Sequence, residues 1–91
     1  MIDLEGIRAL VAVDMMGTVA AAADTLGFTP SGVSQQVKRL ERQLGLPVLE
    51  RVGRGVILTP AGAALAREGR QLLEDADTLA ARVRQQADSL N

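Results

Sequence analysis

The chain has 91 residues, a formal net charge of −1, a 47% hydrophobic content, one Phe, and no Trp, Tyr, Cys or His. A length of this order suits one small domain whose core must come from Leu, Val, Ile and Ala. Without Cys or His a disulfide framework and ordinary zinc or haem sites are excluded, and the usual catalytic bases and nucleophiles are missing. No cofactor and no enzymatic activity are therefore expected.

A first helix is predicted over Leu4 to Met16, with Leu4, Ile7, Val11 and Met15 on one side and Gly17 ending it. Thr18 is a good N-cap for a short, alanine-rich second helix, Val19 to Leu26, whose inner face is Val19, Ala22, Ala23 and Leu26. Gly27 suits the left-handed position after a helix end.

The third helix is predicted from Pro30, placed where its missing N–H does no harm, to about Leu44, stopping at Gly45. In TPSGVSQQVKRLERQL two stripes can be read. Val33, Val37, Leu40 and Leu44 follow the spacing of one buried face. Ser31, Ser34, Gln35, Lys38 and Arg42 recur about half a turn away, polar and positive, with no carboxylate among them. A helix that packs on one side and offers Ser, Gln, Lys and Arg on the other suits the major groove of DNA. Arg39 and Glu41 fall on its flanks, and Glu41 is expected to pair with another residue instead of touching DNA. Two helices joined by a tight turn, the second with such a face, form a helix-turn-helix unit, here about 19–38.

After Pro47 the pattern changes. Val48, Leu49 and Val52, then Gly53-Arg54-Gly55, then Val56, Ile57 and Leu58 read as a hairpin over about 48–58 with an arginine at its tip. Such a wing can reach the minor groove or a backbone phosphate. Thr59-Pro60 starts a long helix to about Ala87. Within it Leu65, Gly69, Leu72, Ala76, Leu79, Val83, Gln86 and Leu90 alternate spacings of four and three, a coiled-coil seam imperfect at Gly69 and Gln86. About 28 residues would extend about 42 Å, too long for so small a core to cover, so the seam is expected to meet a second copy.

Charge follows this organisation. Residues 1–30 carry a local net of −3, residues 31–55 a net of +3, and residues 56–91 a net of −1. The positive segment is the one bearing Lys38, Arg39, Arg42, Arg51 and Arg54, where the field on a phosphate is favourable. No apolar run approaches a bilayer span and MIDLEGIR lacks the features of a signal peptide, so no membrane partner and a cytoplasmic location are expected.

These residues resemble the N-terminal DNA-binding domain and linker helix of LysR-type transcriptional regulators, a bacterial family, over essentially the whole chain. The likeness lies in LEGIRALVAV, in A-A-x-x-L-x-x-T-P-S-x-V-S-x-Q-V-x-x-L-E, and in the trailing G-R-G-V-x-L-T-x-A-G. The resemblance implies a mainly α fold: a winged helix-turn-helix of three helices and a two-stranded wing over 1–59, then a linker and dimerisation helix over 60–91. It implies a homodimer, paired through Leu65, Leu72, Ala76, Leu79 and Val83, on a partly palindromic operator in double-stranded DNA. Carried over by position, Pro30, Ser31, Ser34 and Gln35 enter the major groove with Lys38 near the backbone. Arg54 is the wing arginine, and Thr29 and Arg51 are phosphate neighbours.

Three departures from the family pattern stand out. Gly32 replaces the usual Ala, Leu49 replaces the usual wing Phe, and the C-terminal effector domain is absent, so the chain is expected to be a DNA-binding portion without a small-molecule effector site. Two other readings stand beside this one. A winged-helix adaptor would use the long helix to pair with a foreign protein, but the basic segment favours DNA. The DNA-binding domain of a molybdate-responsive regulator has a similar winged fold, but the T-P-S-x-V-S and L-T-x-A-G spacing suits the LysR type better.

Overall fold

Helix α1 (Leu4–Met16) is the spine of the head, because α2 (Val19–Leu26), α3 (Pro30–Leu44) and α4 (Pro60–Leu90) all pack on it. The computed structural model describes residues 1–90 except for the Leu90 side chain, so the seam contact expected of Leu90 lies outside what is described. A single-sided stripe on α1 is not what three neighbours produce. Ile7, Ala9, Leu10, Val11, Ala12 and Val13 are all buried, running round the helix. Leu4 and Met15, expected on the inner face with Ile7 and Val11, are exposed because they lie near the two ends of the helix, beyond the covered middle.

Helix α2 begins where the Thr18 hydroxyl accepts a hydrogen bond from the Ala21 N–H at 3.0 Å. Ala22 and Ala23 are buried, and their small side chains let α2 approach its neighbours closely. Gly27 ends it at φ +73°, a left-handed conformation that a side chain would strain, and the chain turns directly into α3. Thr29 caps α3 in the same manner, accepting from the Gly32 N–H at 3.0 Å, with Pro30 at the first position. Val33, Val37 and Leu40 are buried as their spacing predicts, and Leu44 is half-buried against the same core. Phe28, the one aromatic residue, is half exposed and takes no part in that core.

Two ties hold the start of the chain to α3. The Asp3 N–H donates to Gln43 Oε1 at 2.9 Å, and Arg39 Nε pairs with Asp3 Oδ2 at 3.1 Å. The wing follows as an antiparallel pair, β1 (Leu49–Val52) with β2 (Gly55–Leu58), in the register Leu49 to Leu58, Glu50 to Ile57, Arg51 to Val56 and Val52 to Gly55. That register leaves Gly53 and Arg54 as a two-residue tip. Gly53 takes φ +58° while Arg54 keeps negative φ, the signs of a II′ hairpin turn.

Helix α4 has 31 residues, three more than its pattern predicts, and the whole molecule measures 58 Å along its longest axis. Its first half belongs to the head. Ala66 is in the core, Leu65 and Leu73 pack against it, and Gly69 is buried against α1. Arg70 Nη2 adds an ion pair to Asp14 Oδ2 at 3.1 Å. Leu72, on the outer side of this region, is 46% exposed, and beyond it the helix runs free: Leu79 and Val83 are 58% and 55% exposed, and Ala76 lies open between Leu72 and Leu79. Among the described residues no helix is long and apolar enough to cross a membrane.

Candidate nucleic-acid interface

Because Val33, Val37 and Leu40 turn inward, the helical repeat carries Pro30, Ser31, Gln35, Lys38 and Arg42 onto the exposed side of α3. Ser34 is half-buried, since it sits in the crease between α3, the start of α2 and the wing. A groove of about 440 Å³ opens at this crease, lined by Thr18, Val19 and Ala20 of α2, Pro30 and Ser34 of α3, and Arg51, Arg54, Gly55 and Val56 of the wing. No carboxylate lines it. The first turns of α2 and α3 both border the groove, and a helix start is favourable for an anion such as phosphate.

The fold thus brings Pro30, Ser34, Arg51 and Arg54, spread over 25 positions of the sequence, around one opening. Lys38 joins Ser34 and Arg51 in an adjoining crevice that also contains Glu41. Gln35, Lys38 and Arg42 form a second, shallow surface with Gly32, Gln36 and Arg39 along the outer side of α3. Ser31 and Thr29 are exposed beside these surfaces without lining either groove. The Thr29 oxygen is already engaged as the helix cap, which leaves its hydroxyl proton as the group able to donate outward.

Most of the positive charge on this side is uncommitted. Among the described residues Arg39 and Arg70 form ion pairs, while Lys38, Arg42, Arg51 and Arg54 have no acidic partner. Glu50 points away from Arg51, because neighbouring strand residues face opposite sides of the wing. Glu41 is turned to the wing root, where its Oε2 accepts from the Val48 N–H at 2.8 Å and the Leu49 N–H at 3.4 Å. Sequence reasoning missed Thr18 and Ala20, whose place in the groove depends on how α2 meets the wing.

A helix whose outer side is polar and positive, flanked by an arginine-tipped wing, defines a winged helix-turn-helix DNA-binding protein. The chain belongs to the lysR family of bacterial regulatory helix-turn-helix proteins, whose family model matches residues 4–63. It is 41% identical over 78 residues to the probable HTH-type transcriptional regulator YhaJ of Escherichia coli K12, covering 86% of this chain and 26% of that protein. To the HTH-type transcriptional regulator BudR of Klebsiella aerogenes it is 37% identical over 89 residues, covering 98% and 62%.

Solved structures agree. The DNA-binding domain of BenM in complex with catB site 1 DNA superposes with a TM-score of 0.88 at 30% identity, covering 98% of this chain and 96% of that one. The CbnR DNA-binding domain in its DNA complex also gives 0.88, at 35% identity, covering 93% and 98%. The chain spans about a quarter of the length of YhaJ, so the likeness concerns that part of the relative alone. Of the readings raised from sequence, the LysR one is the one the family model carries.

Proposed function

We infer that this chain binds double-stranded DNA sequence-specifically, as a homodimer, in the regulation of transcription, and that it works in the cytoplasm as a binding protein and not as an enzyme. The observation that carries the reading is the uncommitted polar and basic face of α3 beside the arginines of the wing. In this reading residues 1–59 form the DNA-binding unit and 60–91 the linker and dimerisation helix. Ser31, Ser34 and Gln35, with Pro30, meet base edges in the major groove. Gln pairs well with adenine N6 and N7, and Ser bonds a base or a phosphate. Lys38, Arg51 and Thr29 neutralise or bond backbone phosphates, and Arg54 enters an adjacent minor groove or grips a phosphate there.

The exposed stripe Leu72, Ala76, Leu79 and Val83 pairs the two copies, while Leu65 contributes at the head, where it packs. A two-fold dimer presents two recognition helices one or more helical turns of DNA apart, which calls for an operator with matching dyad symmetry. The relatives found in DNA complexes support this assignment.

Selection of bound duplexes from a random pool tests it. A consensus with two inverted half-sites at fixed spacing is the expected result. Recovery of no enriched sequence, or retention on duplex DNA that is insensitive to salt, overturns it.

A further inference from the structure

We propose that Glu41 is a positioning residue for the wing: its carboxylate holds the root of the hairpin so that Arg51 and Arg54 reach DNA beside α3. The proposal rests on the DNA-binding reading given above.

A lone two-stranded hairpin is marginal in water, so its direction has to be set at its root. That root is Val48, whose side chain is fully buried. On one side the Val48 and Leu49 N–H groups both donate to Glu41 Oε2 from α3. On the other side the Thr59 N–H donates to the Val48 carbonyl at 3.1 Å, and the Thr59 hydroxyl donates to the Pro47 carbonyl at 2.7 Å while capping α4 through the Gly62 N–H. The peptide groups around Val48 are thereby gripped between the recognition helix and the start of the long helix.

Strand geometry carries this grip outward. Arg51 stands two residues beyond Leu49 on the same face of β1, and Arg54 occupies the tip. Arg51, Ser34 and Lys38 share one crevice with Glu41. Electrostatics alone makes a carboxylate here unfavourable, because it repels an approaching phosphate. The two backbone donors it satisfies supply the reason for a long acceptor at this position: both N–H groups lie at a reach that a shorter side chain does not span.

Charge and reach can be separated by substitution. Glu41→Asp keeps the charge but withdraws it from Val48, Glu41→Gln keeps the reach without the charge, and Glu41→Ala removes both. Fluorescence anisotropy on the full chain with a selected duplex reads the affinity, and circular dichroism monitors folding. Glu41→Gln is expected to bind at least as tightly as the parent protein. Glu41→Asp and Glu41→Ala are expected to bind about five- to tenfold more weakly, and that loss shrinks when Arg54→Ala is already present and disappears when Arg51→Ala is added to it.

An unchanged affinity in Glu41→Asp, or a Glu41→Ala loss that multiplies in full with that of Arg54→Ala, overturns the proposal and leaves the DNA-binding reading standing. A chain carrying both Arg51→Ala and Arg54→Ala that binds as the parent does overturns it too, by removing the contacts that Glu41 is said to position. Failure of the parent chain to bind any duplex with salt sensitivity instead removes the reading beneath it.

Discussion

Gly69 of α4 lies so close to Ile7 of α1 that a β-carbon added at Gly69 would stand 2.6 Å from Ile7 Cγ2. Along the sequence, this glycine interrupts a coiled-coil seam. In three dimensions it is where the long helix crosses the spine of the head, with Ala66 buried one turn earlier and Arg70 paired to Asp14 beside it. The direction in which α4 leaves the head is therefore set by packing in this region.

Filling that space strains the core. Gly69→Val is expected to lower stability by about 1–3 kcal/mol, the usual range for overpacking a close-packed interior. Gly62→Ala is expected to be at least as damaging, because its β-carbon would overlap the carbonyl of Val48, which is backbone and cannot rotate away. Urea unfolding followed by circular dichroism measures both. Midpoints equal to that of the parent chain would contradict the packing described.

Gln35 is exposed on the outer side of α3, and among the described residues its side chain holds no hydrogen bond. Gln35→Ala is expected to leave the fold intact and to reduce discrimination between the selected site and scrambled DNA by about 1–3 kcal/mol. The ratio of the two dissociation constants at one fixed salt concentration is the measurement. An unaltered ratio would exclude base reading by this side chain.

Lys38 lies one turn further along, without an acidic partner among the described residues. By neutralising a phosphate it adds to the counterions released on binding, so Lys38→Ala should flatten the plot of log affinity against log salt by about 0.9 for each phosphate left without its cation. Its effect should be nearly the same on selected and scrambled sequences. A sequence-dependent weakening with an unchanged slope would assign Lys38 to bases instead.

The free part of α4 is predicted to pair with a second copy. Leu79 is 58% exposed in the single chain, so Leu79→Asp leaves the head undisturbed while placing a charge in the seam. Weakening of the dimer by at least about 1.5–3 kcal/mol per chain is expected, the value of burying one such side chain. Sedimentation equilibrium should then show monomer where the parent chain shows dimer. Dimers of undiminished strength would move the interface elsewhere.

Much of the architecture was legible because its signals are local. Thr18 and Thr29 cap helices through atoms three residues away, and Gly27 and Gly53 take positive φ where a helix ends or a hairpin turns. The two stripes of α3 follow from helical period alone. Less legible was anything that depends on a second element. Leu4 and Met15 share a stripe with Ile7 and Val11, yet only contact with three other helices separates the buried pair from the exposed one. Leu65 and Gly69 share a seam with Leu79 and Val83, yet the head covers the first two and leaves the others open.

By itself the sequence determined the order of the elements, their caps and turns, and the polar side of α3, since each rests on hydrogen bonds and periodicities spanning a few residues. Tertiary structure alone decided that Thr18, Pro30, Ser34, Arg51 and Arg54 border one groove, that Glu41 and Thr59 grip Val48 from opposite sides, and that α4 divides between head and free stripe. The reason is distance along the chain: which surfaces meet depends on close packing among elements far apart in sequence, and no periodicity within one element records it.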